Sequence, residues 1–267
     1  MNRKKILKWF KVALVIYVVI GIALYFLQDV FLFRPKKLDA DYKFNFSQPF
    51  EETNIEVNRD KIINIIQFKT TEPPKGVVLY FHGNKQNVER YAPFSTHFTR
   101  NNYEVWMIDY PGFGKTTGDL TEENLYNDAK LFYKLASSRF SKDSIIIYGK
   151  SLGTGIASHL AAYRDCRQLI LETPYTNMAD VMSSFAFIYP TRLMSKYEFP
   201  TLSNLDKIKV PVSIFHGTKD ELIPYRLSAK LKKHFPGIDL TTIEKGKHNN
   251  LADFPLFHSK LDSILSR

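Results

Sequence analysis

The stretch Ile145-Ile146-Ile147-Tyr148-Gly149-Lys150-Ser151-Leu152-Gly153-Thr154-Gly155 constrains this chain more than any other. Four β-prone residues run into Gly-x-Ser-x-Gly. A helical pattern follows in Leu152, Ile156, Ala157, Leu160 and Ala161. That order reads as a strand, a tight turn and a helix. The turn forces Ser151 into a strained backbone conformation and lifts its hydroxyl above the carboxyl end of the strand. Gly149 and Gly153 flank the serine because strand and helix cross closely there. The first amide N–H groups of the helix then face whatever Ser151 attacks. A chance match to the motif would lack this context. Gly149-Lys150-Ser151 and Gly114-Lys115-Thr116 each have the ending of a phosphate-binding loop. The glycine needed five residues earlier is Ser144 in one and Asp109 in the other, so neither is such a loop.

The rest of the chain reads as alternating strand and helix from Gly76 onward, the signature of a parallel sheet covered on both faces. Gly76–Phe81 is a buried strand, Val88–Thr99 a helix, and Tyr103–Asp109 the next strand. Thr121 caps a helix reaching about Phe140, with Glu122 and Glu123 in its positive first turn. Further strands fall at Gln168–Glu172, Pro211–His216 and Asp239–Ile243. Helices fall at Tyr225–His234 and Ala252–Ser266. Ahead of this block, Asn54–Asn58 and Lys61–Phe68 read as an antiparallel hairpin at a sheet edge. Residues 173–208 exceed an ordinary crossover and carry six aromatic residues besides Met182 and Met194. They read as helices packed on the core, as a lid with an apolar underside, or as both.

The formal charge of +10 suggests nucleic acid until it is mapped. Residues 1–37 carry eight cations against Asp29, so +7 of the +10 sits there and the remaining 230 residues are nearly neutral. Val12 to Leu27 hold no charged side chain. Ile6, Leu7, Trp9 and Phe10 extend the apolar character upstream, and Lys8 and Lys11 can snorkel to headgroups. Bulky Tyr25-Phe26-Leu27 offers no small-residue cleavage site. Residues 1–33 therefore read as an uncleaved signal anchor. Its early cations favour a cytoplasmic N-terminus, with the remainder on the outer side of the membrane. Residues 34–267 read as one domain. The single cysteine, Cys166, permits no internal disulfide and precedes an apolar run, as a buried spectator would.

A serine hydroxyl needs a general base, and the base needs an orienting acid. Of seven histidines, His248 lies in the loop Glu244-Lys245-Gly246-Lys247-His248-Asn249-Asn250, after the last strand. His82 and His216 sit in His-Gly pairs at strand ends, where structural hydrogen bonding is commoner. For the acid, Asp220 tops the strand before the one leading to His248. Glu172 ends the preceding strand and competes with it. Asp109 reads as structural. Oxyanion donors are expected from the Leu152 N–H at the helix start and, in the turn His82-Gly83-Asn84, from the N–H of Asn84.

Five motifs in order carry a resemblance over nearly the whole chain. They are Leu79-Tyr80-Phe81-His82-Gly83-Asn84, Asp109-Tyr110-Pro111-Gly112-Phe113-Gly114, Gly149-Lys150-Ser151-Leu152-Gly153, His216-Gly217-Thr218-Lys219-Asp220 and Gly246-Lys247-His248. Together they resemble membrane-anchored α/β-hydrolase-domain proteins, serine hydrolases similar to the serine aminopeptidase-like group. Gln28 to Pro35 also resembles the segment that follows the anchor in that group. The resemblance implies an α/β-hydrolase fold: a mostly parallel sheet with helices on both faces and a short helical lid, preceded by a transmembrane helix. It implies a triad of Ser151, Asp220 and His248 with Asn84 and Leu152 as oxyanion donors, and no metal or organic cofactor. Lys150 stands where relatives often carry arginine. The expected substrates are small-molecule or lipid esters or thioesters, with the membrane as partner and no nucleic acid. A peptidase using the same triad and a noncatalytic tethered binding protein on this scaffold are the alternatives.

Overall fold

The computed structural model describes residues 3–266. The chain opens with α1 (Arg3–Phe26), turns at Leu27 and continues as α2 (Gln28–Leu32) and the short strand β1 (Arg34–Pro35). The hairpin of β2 (Phe50–Asn58) and β3 (Lys61–Phe68) follows, then β4 (Gly76–Phe81), β5 (Lys85–Gln86), α3 (Val88–Tyr91), α4 (Thr96–Thr99) and β6 (Tyr103–Ile108). After α5 (Glu122–Ser137) come β7 (Ile145–Lys150), α6 (Gly153–Tyr163) and β8 (Gln168–Glu172). The segment expected as a lid holds α7 (Met178–Ser183), α8 (Thr191–Met194) and α9 (Thr201–Leu205). The chain closes with β9 (Val212–Gly217), α10 (Arg226–His234), β10 (Asp239–Ile243) and α11 (Pro255–Ser266).

Among the described residues, eight strands form one sheet in the order β10-β9-β8-β7-β4-β6-β3-β2. The first six run parallel; β3 and β2 join antiparallel at one edge. Both faces are covered, and the period-two alternation of the strands divides the core between them. Val77, Leu79, Phe81, Ile145 and Ile147 pack on one side with Leu125 and Phe132 of α5 and Ile156 and Leu160 of α6. Val78, Tyr80, Ile146 and Tyr148 pack on the other with Phe98 and with Phe257 and Leu261 of α11.

Two local expectations change. The helix expected over Val88–Thr99 breaks into α3, a tight 3₁₀ turn at Ala92–Ser95 and α4, because Pro93 in that turn has no N–H to extend an α-helix. The hairpin strand begins at Phe50 rather than Asn54. The chain after α2 is also tied to the domain: Arg34 and Pro35 pair in parallel with Lys85 and Gln86, and Phe44 is buried against the sheet.

Candidate active site

The carboxyl ends of β4, β7, β9 and β10 open on one rim, and each supplies a loop to the site. At the end of β7, Ser151 has φ 52°, in the left-handed region that a serine rarely occupies. The surrounding chain holds it there. Its N–H donates to the Glu172 carbonyl at 2.9 Å, and its own carbonyl accepts from the Thr154 N–H at 2.9 Å and the Thr154 hydroxyl at 2.7 Å. A methyl group on Gly149 would come within 2.6 Å of the Gly153 carbonyl and 2.7 Å of the Ala157 side chain, and one on Gly153 would strike the Phe81 backbone. Glycine is required at both positions by contact, as the sharp turn demands.

His248, from the loop after β10, places Nε2 2.9 Å from the Ser151 hydroxyl. Its Nδ1 lies 2.8 Å from Asp220 Oδ2. A ring nitrogen facing a carboxylate must carry the hydrogen, which leaves the Nε2 lone pair directed at the serine. Asp220 is buried and densely partnered. Its Oδ1 accepts from the Leu222 and Ile223 N–H groups at 2.9 and 2.8 Å, and His216 Nε2 approaches Oδ2 at 3.2 Å. Burial alone would raise this carboxyl. The hydrogen bonds from His216 and His248, the charge of His248 and the Ile223 amide outweigh it and hold Asp220 well below the usual carboxylate range. His216 Nε2 also faces the Ile223 carbonyl at 2.9 Å, so it too must donate, while Nδ1 meets the Ser228 hydroxyl at 2.6 Å.

The competing acids are engaged elsewhere. Glu172 is buried with Lys150 on one oxygen and the Tyr148 hydroxyl on the other. Asp109 binds His82 Nε2 at 3.1 Å and the Val88 N–H at 2.9 Å, and burial raises its carboxyl against those two bonds. Among the described residues, neither the Leu152 nor the Asn84 backbone N–H has an acceptor within the chain. Both residues border the same cavity as Ser151. The Asn84 side chain donates to the Leu32 carbonyl at 2.9 Å and its backbone carbonyl accepts from the Arg34 N–H at 2.9 Å, so the segment after α1 fixes this loop.

That cavity, of ≈ 470 Å³, rises from Ser151 and is mostly apolar. Met178, Met182 and Phe185 line it from the segment after β8, and Leu222 and Ile223 from the loop that carries Asp220. The opposite wall comes from the N-terminal helices: Leu24, Gln28, Phe31 and Leu32. Sequence reasoning placed those residues in the anchor and the segment that follows it, and not at the site. One signal was present. Gln28 is the polar residue closing the apolar run, and it is buried, donating to the Met194 carbonyl at 2.8 Å and accepting from the Lys196 N–H at 2.9 Å.

A strained serine at a strand-to-helix turn, on a parallel sheet of this order, defines a class of architecture: the chain has the α/β-hydrolase fold. The family model described as "Serine aminopeptidase, S33" matches residues 72–197. Alpha/beta hydrolase domain-containing protein 17C of Xenopus tropicalis is 29% identical over 195 residues, which are 71% of this chain and 61% of that protein. The human protein of the same name is 26% identical over 214 residues, 78% of this chain and 63% of that one. The chain thus spans somewhat under two thirds of the length of these curated relatives. Among solved structures, an esterase of Pyrococcus furiosus superposes with a TM-score of 0.68 at 16% identity, covering 88% of this chain and 99% of its own. Est1E of Butyrivibrio proteoclasticus with ferulic acid bound gives 0.67 at 18%, covering 80% and 98%. At these identities the likeness is one of fold.

Proposed function

We propose that the protein is a membrane-anchored serine hydrolase that cleaves carboxylic ester or thioester bonds of acylated substrates. The observation that carries this reading is the unbroken line from the Ser151 hydroxyl through His248 to Asp220. Ser151 Oγ attacks the acyl carbon as its proton passes to His248 Nε2. Asp220 holds the ring in the required tautomer and stabilises the imidazolium. The Leu152 and Asn84 N–H groups donate to the oxyanion, each such donor being worth ~3 kcal/mol in the transition state. His248 then protonates the leaving oxygen or sulfur. A water, deprotonated by the same ring, releases the acid from Ser151.

The cavity supports acyl substrates over free peptides. An aminopeptidase must neutralise a substrate ammonium group, whereas the described charged residues along this cavity are Arg34 and Lys85, both cationic. Long apolar walls of Met, Leu and Phe suit an alkyl chain. Among the described residues, α1 alone is long and apolar enough to cross a membrane, at 24 residues or about 36 Å. In this reading α1 is a single span with its basic end in the cytoplasm and the domain outside, which protease protection of the C-terminus in intact vesicles would check.

Covalent labelling by a fluorophosphonate probe tests the assignment. Wild type should label at one site, and Ser151→Ala should abolish the signal. Labelling that survives Ser151→Ala removes this serine from its role. Cleavage of aminoacyl amides in preference to acyl esters by the purified protein would instead select the peptidase alternative.

A further inference from the structure

The stretch from the end of α7 through α8 carries four large apolar side chains with no cover: Phe185, Phe187, Ile188 and Leu193, exposed by 64, 82, 59 and 86%. A soluble surface rarely gathers so many in nine residues. Their neighbour is the anchor. Tyr189 stacks on Tyr17 of α1 with ring centroids 4.5 Å apart and planes 5° from parallel. Each hydroxyl meets a backbone carbonyl of the other segment, Tyr17 to Ile188 at 3.2 Å and Tyr189 to Tyr17 at 3.1 Å. Gly21, one turn further along α1, gives the Tyr189 ring its seat: a methyl group there would lie 3.1 Å from the ring. Beyond the end of α1, Gln28 clamps Met194 and Lys196. The segment is therefore laid along the helix rather than hung from the rim of the domain.

The depth follows from the rise of the helix. Nine residues separate Tyr17 from the end of α1 at Phe26, a rise of about 14 Å. Half of a hydrocarbon core is ~15 Å. A tilt of ~40°, the upper end of the usual range, still leaves about 10 Å. If α1 spans, Tyr189 and its neighbours cannot lie in water. The pairing of the two tyrosine hydroxyls with carbonyls is what hydrocarbon demands of polar groups, and exposed Arg192 is long enough to snorkel.

We infer that residues 185–193 form a second membrane-inserted element, a wedge buried in the same leaflet as the outer half of α1, so that the cavity above Ser151 opens into the acyl-chain region of the bilayer. This rests on the reading of α1 as a span and goes beyond it. The anchor is a wall of the substrate site, and acyl chains enter sideways from lipid, between Phe31 and Leu24 on one side and Phe185 and Met182 on the other.

The test uses the full chain in phosphatidylcholine vesicles, with one introduced cysteine at a time carrying a nitrobenzoxadiazole dye. Native Cys166 does not compete, being buried with its thiol pushed up to about 12. Phe187→Cys probes the wedge, Val15→Cys probes α1, and Ser137→Cys, at the end of α5 on the opposite pole of the sheet, is the aqueous reference. Spin-labelled lipid should quench the dye at positions 15 and 187 several-fold more strongly than aqueous iodide does, with the order reversed at 137. Quenching at 187 like that at 137, with 15 still in lipid, overturns the wedge and leaves the anchor standing. Iodide access at both 15 and 187 overturns anchor and wedge together. Protection of 187 from both quenchers means a protein surface covers it, and likewise overturns the wedge.

Discussion

Asp220 accepts hydrogens from four directions: two backbone amides, His248 and His216. Asparagine cannot do this, because one of its two heads is itself a donor. Asp220→Asn must either set its amide against an N–H or turn His248 to the other tautomer, with a hydrogen facing Ser151. We expect the fluorophosphonate labelling rate to fall by about 10³–10⁴-fold with the far-ultraviolet dichroism unchanged. His97 and His159 bear on stability instead. Burial, with the charges of His258 and Arg100, lowers His97 to about 4; burial, with Lys130 and Lys207, lowers His159 to about 4. Between ~6.5, the ordinary value of an unfolded histidine, and about 4, the unfolded chain binds protons at these positions that the folded chain refuses. Acidification across that window therefore weakens the fold. Replacing His159, which stacks on Tyr126 at 3.6 Å, with phenylalanine should flatten the fall in urea midpoint over the same interval. At this scale Ser151 was the most legible residue, because its strain is set by neighbours two positions away. The Gln28 clamp was not, since its partners lie more than 160 residues further along.

At the scale of elements, β7 and β8 meet with Lys150 opposite Glu172 in register. Their side chains form a buried ion pair directly behind the Ser151 turn, closed by the Tyr148 hydroxyl and by Phe94 5.0 Å from the Lys150 ammonium. Sequence reasoning weighed Glu172 as the triad acid because both acids end strands. The two strand ends differ in what lies beside them, and that depends on strand order. Glu172→Gln leaves the lysine charge buried with a neutral partner, so a loss of roughly 3–5 kcal/mol in urea unfolding is expected. Folded protein should keep its labelling rate within a few-fold. The double variant Lys150→Met with Glu172→Leu should recover most of the stability, because an apolar pair of similar volume needs no compensating charge. Had Glu172 been the catalytic acid, both variants would lose labelling.

For the whole molecule, the unusual feature is that α1 and the segment over the cavity at Ser151 are one packed unit, joined at Tyr17–Tyr189 and at Gln28–Met194. The cavity between them discriminates by acyl length in the proposed function. Met182→Trp fills its upper part while leaving Ser151, His248 and Asp220 untouched. The ratio of long-chain to short-chain ester hydrolysis should fall at least tenfold; an unchanged ratio would mean that the acyl group takes another route.

Local chemistry determined what the chain's own words could say alone: the strained turn at Ser151, the strand–helix alternation, the edge hairpin and the uncharged run from Val12 to Leu27. Each depends on residues within a turn or a strand of one another, where sterics, periodicity and solvation act over a few positions. Only the tertiary structure decided which strand borders which, that Lys150 consumes Glu172, that His216 shares Asp220 with His248, and that Leu24 and Phe31 face a cavity. Apart from the His216–Asp220 contact, which spans one turn of chain, those facts arise from contacts across about 20 to 170 residues. They were fixed when the sheet closed and the N-terminal helix packed along the lid, a choice among competing burials that no short stretch of sequence contains.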